Sequence, residues 1–430
     1  MAAVDGLVTG LDTTSIISQL MQIEAAPKTR LQSQVSAQQR VQTAYQALNA
    51  RMLAVKGAAE ALNGDSTWQA LKASSSSDAA VATATGNSAV AGSITFSITS
   101  LAKAHVATAQ VPESGGATKG SGLEVTVGGK TTHVDVTDDT AAGVAEAVNK
   151  AGLGVRATVI TTTTGQRVQF SSAKTGAEQA FTVAGMANDP TVLSQGSDAT
   201  ITVGDPATTG YKLTSADNNF TSVLPGVTVR ATKVQNDVTV TSTVDSSGIG
   251  DKVAALVNAV NAAISTAKGY DTYDAASKTA GPLNGDTLAR GLRSSLLTTV
   301  SGGGTSFGTM SAFGVALGTN GQLTFDKAKF VAAFEADPEK VRTAVTDGLV
   351  KPYKKIGEDA SNSTTGSLTV AVQGGDTTLR RLNTAISEWD TKLASKKVSL
   401  QKYYSTLETS MSKLNQQASW LSGQLAGLSS

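Results

Sequence analysis

His133 and Asp135 stand two residues apart, with Asp138 and Asp139 just beyond them. On a strand, residues two apart share a face, so this group could hold a metal ion or take part in acid–base chemistry. The group has no second nearby histidine, no cysteine and no calcium-loop spacing. Two aspartates before a helical stretch act more simply as its cap. Gly304-Thr305-Ser306-Phe307-Gly308 has the spacing of a hydrolase nucleophile elbow. That elbow needs a strand before the serine, a helix after it and a histidine downstream. Here a helix and a glycine run precede it, and His105 and His133 both lie upstream. A glycine loop is the reading that fits. Ser171-Ser172-Ala173-Lys174 matches a Ser-x-x-Lys pattern, common by chance, at an expected strand end. No dinucleotide fingerprint and no phosphate-binding loop is present. We therefore expect no catalytic residue, no cofactor and no metal, and read the chain as non-enzymatic.

Composition points the same way. The chain has 430 residues, a formal charge of +1, 16% charged residues and 4% aromatic ones. Its length gives room for two to four domains. Bulk charge does not draw it to nucleic acid or an anionic membrane, and its rings are too few for base-stacking platforms. It has no cysteine, which excludes disulfides and thiolate metal sites. No apolar run reaches membrane-spanning length. The start, with Asp5 and Asp12, does not read as a secretory signal, so export by the Sec route is not expected.

The informative pattern lies at the two ends. Leu382, Ile386, Trp389, Leu393, Lys396, Leu400, Tyr403 and Leu407 step by four and three, a heptad seam. It resumes at Met411, Leu414, Ala418, Leu421, Leu425 and Leu428, with two four-residue steps in a row at 403–411, where we expect a bend. Val41, Tyr45, Leu48, Met52, Val55, Ala59 and Leu62 step in the same way. We expect Val41–Leu62 and Leu382–Leu407 to pair. Asp12 or Thr13 should cap a helix over Thr14–Ala25, and Pro27 should open the next, to Leu62.

Between the ends the period changes to two. Ile94, Phe96 and Ile98 mark a strand. Leu123–Val127 and Thr131–Val136 flank Gly128-Gly129 as a hairpin, and a helix over Thr140–Ala151 follows. Strands are expected at 155–161, 167–171, 200–203, 226–230 and 238–241, and residues 73–91 as extended chain or loop. Helices return at 249–268, 287–300, 327–335 and 338–355, with a small hairpin at 313–325 and a loop at 361–375.

The fold class expected is α+β and multi-domain: a helical, coiled-coil stalk formed by both chain ends, with inserted β-rich head modules. Residues 1–40 and 385–430 would be terminal coiled-coil segments, and 41–72 with 245–384 the helical stalk domain. Residues 73–111 with 198–244 would form one β-rich head domain, and 112–197 a second one inserted in it. Short terminal helices are marginal alone. We expect the outer ends to be mobile in the free protein and to order against other subunits. Leu7, Leu11, Ile16, Leu20 and Ile23, with Leu414, Leu421 and Leu425, are the candidate assembly contacts.

Several stretches together resemble the bacterial flagellar filament cap proteins, the hook-associated protein 2 family. They are GLVTGLDTTSIISQLMQIEAAPKTRL at the start, GVRATVITTTTGQRVQFSSAKTG, NNFTSVLPGVTVRATK and GPLNGDTLARGLRSSL, then the Phe307–Val341 block and the helix from Leu393 to Leu425. Their order along nearly the whole chain carries the resemblance; about Pro112 to Val192 matches least. The resemblance implies a homo-oligomeric ring at the tip of the growing flagellar filament, outside the cell, where it helps exported flagellin to insert. It implies flagellin, further copies of the chain, the hook–filament junction protein, and an export chaperone with the flagellar type III apparatus as partners. Nucleic acid and membrane insertion are not implied. Two alternatives stand beside it: another flagellar axial protein, such as flagellin or a junction protein, and a surface adhesin whose head binds host mucin or another carbohydrate.

Overall fold

The structure, a computed structural model, describes residues 12–85, 90–120, 122–301 and 309–428. The chain opens with α1 (Thr13–Glu24), α2 (Ala26–Asn63) and the short α3 (Asp65–Trp68). Strands β1 (Leu71–Ser75), β2 (Ala80–Ala84), β3 (Gly92–Ser100), β4 (Ala104–Gln110), β5 (Gly122–Val127) and β6 (Lys130–Asp135) follow, then α4 (Ala141–Ala151). Next come β7 (Val155–Thr162), β8 (Gly165–Thr175), β9 (Phe181–Ala184), β10 (Thr191–Ser194) and β11 (Ala199–Val203). β12 (Tyr211–Ser215), β13 (Asn219–Leu224), β14 (Val227–Ala231) and β15 (Gln235–Val244) complete the strand-rich part. The chain then forms α5 (Ser246–Tyr270), the hairpin β16 (Tyr273–Asp274) and β17 (Thr279–Ala280), and α6 (Thr287–Ser301). A second hairpin, β18 (Val315–Leu317) and β19 (Leu323–Phe325), precedes α7 (Lys327–Ala336), α8 (Pro338–Val345), α9 (Lys351–Ser361) and α10 (Ser367–Leu428).

These elements divide into two compact units, one running up to Gly64 and resuming at Ser247, the other spanning Asp65–Ser246. In the helical unit, α2 buries Ala44, Leu48, Met52, Val55, Ala59 and Leu62. Five of the seven expected residues lie in this row; Val41 and Tyr45 are only half-buried, and Ala44 joins it. The helix lies against α9 as well as α10. Gly357 permits the approach: a Cβ there would lie 2.9 Å from both Lys56 Cβ and Met52 O. α5 adds Ile249, Val253, Leu256, Val257, Val260 and Ile264 to the buried set. Between α8 and α9 the backbone makes one π turn over Thr346–Val350. Pro352 lies just after it, and its missing N–H and its ring disfavour regular α-helical bonding to the preceding turn.

Two expectations about this unit are corrected. The loop at 361–375 shrinks to a turn at 362–366, because α10 already begins at Ser367 with Leu368 fully buried. Gly374 and Gly375 therefore lie inside a helix, and Gly375 faces Gln38 and Gln42 of α2. Tertiary contact overrides the low helix propensity of glycine. The pairing is also displaced. Gln42 bonds Asp376 and Lys28 bonds Asp390, so the polar first half of α2 lies along α10. The Val41–Leu62 segment therefore begins opposite the start of α10, at Gln42 and Asp376, and meets α9 at Met52 and Lys56, while Asp390 lies opposite Lys28.

The β unit holds two cores. In the first, the antiparallel sheet β1-β15-β3-β11-β12 and the sheet β13-β14-β2 share Phe96, Ile98, Ile201, Phe220, Val229 and Val240. In the second, β10-β4-β8-β7 and β6-β5-β9 close with α4 around Leu123, Val144, Val148, Phe170 and Phe181. β4 brings Ala107 and Ala109 into the second core, although the boundary expected at residue 111 placed them in the first. Thr140, not Asp138 or Asp139, caps α4, its hydroxyl accepting from the Gly143 N–H at 3.1 Å. The Gly128-Gly129 turn forms as expected, with φ of 55° and 78°, values that favour glycine.

Candidate functional site

The residues singled out for chemistry do not converge. His133 Nδ1 lies 2.6 Å from Glu124 Oε1, and Nε2 lies 3.3 Å from Asp135 Oδ1, all on the exposed side of the β5–β6 hairpin. The two carboxylates hold this imidazole above its ordinary pKa, the Glu124 bond being the largest cause. Asp139 turns away and accepts from the Thr118 N–H and hydroxyl, each at 2.8 Å. Among the described residues, no group of three or more His, Asp or Glu side chains is placed to hold a metal. Ser171 and Lys174 both lie at the end of β8, where its register against β4 is irregular. The Ser306 motif lies outside the described residues.

A different kind of site emerges on α1 and α10. Asp12 caps α1, its carboxylate accepting from the Ser15 N–H at 2.8 Å. α1 lies against α10 with Thr13 and Ile17 buried, and Lys396 Nζ stands 3.4 Å from Glu24 Oε1. The helix face turned inward is therefore the Ile17 face. Ile16 is half-buried, Leu20 is partly open, and Ile23 is 73% exposed. Leu7 and Leu11 lie outside the described residues.

On α10 the partly buried row runs Leu393, Leu400, Tyr404, Leu407 and Met411. Tyr404 takes the place expected for Tyr403, whose ring is 65% exposed. With Tyr404 in the row, the steps from 400 to 411 are four, three and four, so no double step falls at Leu407. The helix is unbroken there. From Lys413 to Leu425 every side chain is exposed. Leu414, Leu421 and Leu425 are 55–60% exposed, with Trp420 beside them at 65%. Trp420 was not singled out, because it lies one position off the heptad seam. An apolar row left uncovered on a helix marks an interaction surface. The described residues contain no helix long and apolar enough to cross a membrane.

Together these features define a structural protein: a helical unit built from both chain ends, an inserted β unit, and an uncovered apolar row on the last helix. The chain belongs to the flagellar hook-associated protein 2 family. The family's N-terminal part matches residues 9–105 and its C-terminal part residues 196–416. It is 26% identical to the flagellar hook-associated protein 2 of Escherichia coli (strain K12), over 97% of each chain. It is also 26% identical to the B-type flagellar hook-associated protein 2 of Pseudomonas aeruginosa PAO1, over 100% of this chain and 98% of that one. Among solved structures, the D1-D2-D3 domains of the flagellar cap protein FliD from Escherichia coli match 77% of this chain and 99% of that chain. The TM-score is 0.57, at 25% identity.

Proposed function

We propose that this chain caps the tip of the bacterial flagellar filament and promotes insertion of exported flagellin. The observation that carries this reading is agreement along the chain: both family parts match, and the fold agrees with the cap protein's three solved domains. The role is structural, and its partners are flagellin and further copies of the chain, outside the cell. The finer partners, the hook–filament junction protein and an export chaperone with the flagellar type III apparatus, belong to the same proposal.

In this reading residues 1–40 and 385–430 are the assembly segments. Leu20, Ile23, Leu414, Leu421 and Leu425 would bury against neighbouring subunits, with Ile16, Leu7 and Leu11 extending the same segment. Loss of water from these side chains supplies the driving force, roughly 25 cal/mol per Å² of apolar area covered. The experiment is deletion of the gene followed by complementation. Deletion should release flagellin monomers into the medium while hooks remain. Complementation with Leu414→Ser/Leu421→Ser/Leu425→Ser should give a folded chain that fails to restore filaments. Filaments of normal length in the deletion strain would overturn the capping function. Full rescue by the triple variant would overturn only the assembly surface.

A further inference from the structure

We propose that His105 is an acid-sensitive latch between the two cores of the β unit, closed while its ring is neutral. The chain leaves the first core between β3 and β4 and returns between β10 and β11. The two passages are tied to each other. The Lys103 N–H donates to Ser197 O at 2.8 Å, and the Ser197 N–H donates back to Lys103 O at 3.2 Å. The Thr175 hydroxyl donates to Ala216 O at 2.5 Å, and the Ala177 N–H to the Asp198 carboxylate at 2.7 Å.

His105 follows the outgoing passage and is 2% exposed. Its ring meets Phe181 edge-on, with centroids 4.8 Å apart. Nδ1 accepts a bond from the Gly196 N–H on the return passage at 3.3 Å. Gly196 has no room for a side chain: a Cβ would lie 2.7 Å from Gly176 O and 3.3 Å from His105 Cβ. The backbone is held too, since the His105 N–H donates to Ser172 Oγ at 3.0 Å. Nε2 is buried and has no partner among the described residues.

The geometry sets the protonation state. An Nδ1 that accepts must be bare, so the neutral ring carries its proton on Nε2. A second proton must go to Nδ1, where it would face the Gly196 N–H, donor against donor. Acid therefore breaks the bond between the passages and leaves a cation in apolar surroundings. The charged groups around the ring do not offset this. Lys103 just before its strand, Lys174 on β8 and Glu178 in the following turn are exposed. Asp198 on the return passage already accepts from Ala177, and β9 and β10 carry no charge. Burial accordingly pushes this imidazole below its ordinary pKa. The sign follows: opening takes up a proton, so the latch is fully closed above the ordinary histidine pKa and weakens as pH falls below it.

The chain has only two histidines, which makes the test direct. The imidazole NMR signals of the full chain are followed from pH 8 to 4.5, with His133→Gln assigning them. His105 should show the Nε2–H tautomer and titrate below the ordinary range. Amide exchange at residues 103–106 and 195–198, as the ratio of wild type to His105→Gln at each pH, should rise up to about tenfold per pH unit below about 6.5. An Nδ1–H tautomer, titration at or above the ordinary range, or a ratio that stays flat with pH would overturn the latch. If His105→Gln does not fold, tautomer and titration in the wild type decide.

Discussion

The Tyr45 hydroxyl donates to the Asp286 carboxylate at 2.7 Å, tying the middle of α2 to the start of α6. Asp286 also accepts from the Ala289 N–H at 2.8 Å, so one carboxylate caps a helix and anchors another. Burial, then the bond to Asp286, raises the Tyr45 phenol to about 12. Tyr45→Phe should cost about 1 kcal/mol in urea denaturation. Asp286→Ala should cost more, about 2 kcal/mol, because the cap is lost as well. Because the folded value is raised, the phenol's contribution is intact below pH 10 and disappears as pH rises toward 12.

Two helix glycines should respond in opposite directions. At Gly357 a Cβ would press on Lys56 Cβ and Met52 O, each at 2.9 Å. Gly357→Ala should therefore destabilise the helical unit by about 1–3 kcal/mol, despite alanine's better helix propensity. At Gly291, inside α6, a Cβ would meet nothing within 4 Å. Gly291→Ala should raise stability by about 0.5–1 kcal/mol. Midpoints of denaturant unfolding separate the two.

Much of this fold was legible because large apolar residues recur with clear periods. The α2 row from Leu48 to Leu62 and the β5–β6 hairpin around Gly128-Gly129 appear where the residues place them. Among the elements not read, β9 and β13 bury Phe181, Val183, Phe220 and Val223 but are too short for their alternation to stand out, and β2 and β4 are packed by alanine. β2 and β4 bury Ala80, Ala107 and Ala109, which carry almost no periodic signal. That α2 pairs with α10 was legible, but its register was not, because polar bonds such as Lys28 to Asp390 set it and a heptad row does not encode them. The uncovered apolar residues Leu414, Leu421 and Leu425 were legible as a stripe. Which face of α1 turns inward was not, since Ile16 and Ile17 are adjacent and equally apolar.

That adjacency yields a direct test of the α1 surface. Ile17 is buried and Ile23 is 73% exposed. Ile17→Ala should loosen α1 from α10, at a cost of about 2 kcal/mol for local opening, read as faster amide exchange through α1. Ile23→Ala should leave exchange and unfolding within about 0.5 kcal/mol of wild type, yet weaken assembly. In the isolated monomer, α1 amides should exchange faster than those of Ala44–Leu62. Equal protection in the two segments would contradict a role for α1 as a segment completed by neighbours.

His133 gives the opposite pH response to His105. Its pKa is raised, first by the bond to Glu124 and further by Asp135. Glu124→Gln should move its NMR midpoint down toward 6.5. Asp135→Asn should move it less, since that contact is 3.3 Å against 2.6 Å for Glu124. A raised folded value means the contribution to stability is present below pH 6.5 and lost as pH rises through the folded pKa. All three side chains are at least half-exposed, so solvent screens the pairs and the midpoint, not the unfolding energy, is the informative reading. Added salt should shift the His133 midpoint toward its ordinary value while leaving the buried His105 almost unmoved, because screening acts on exposed charges.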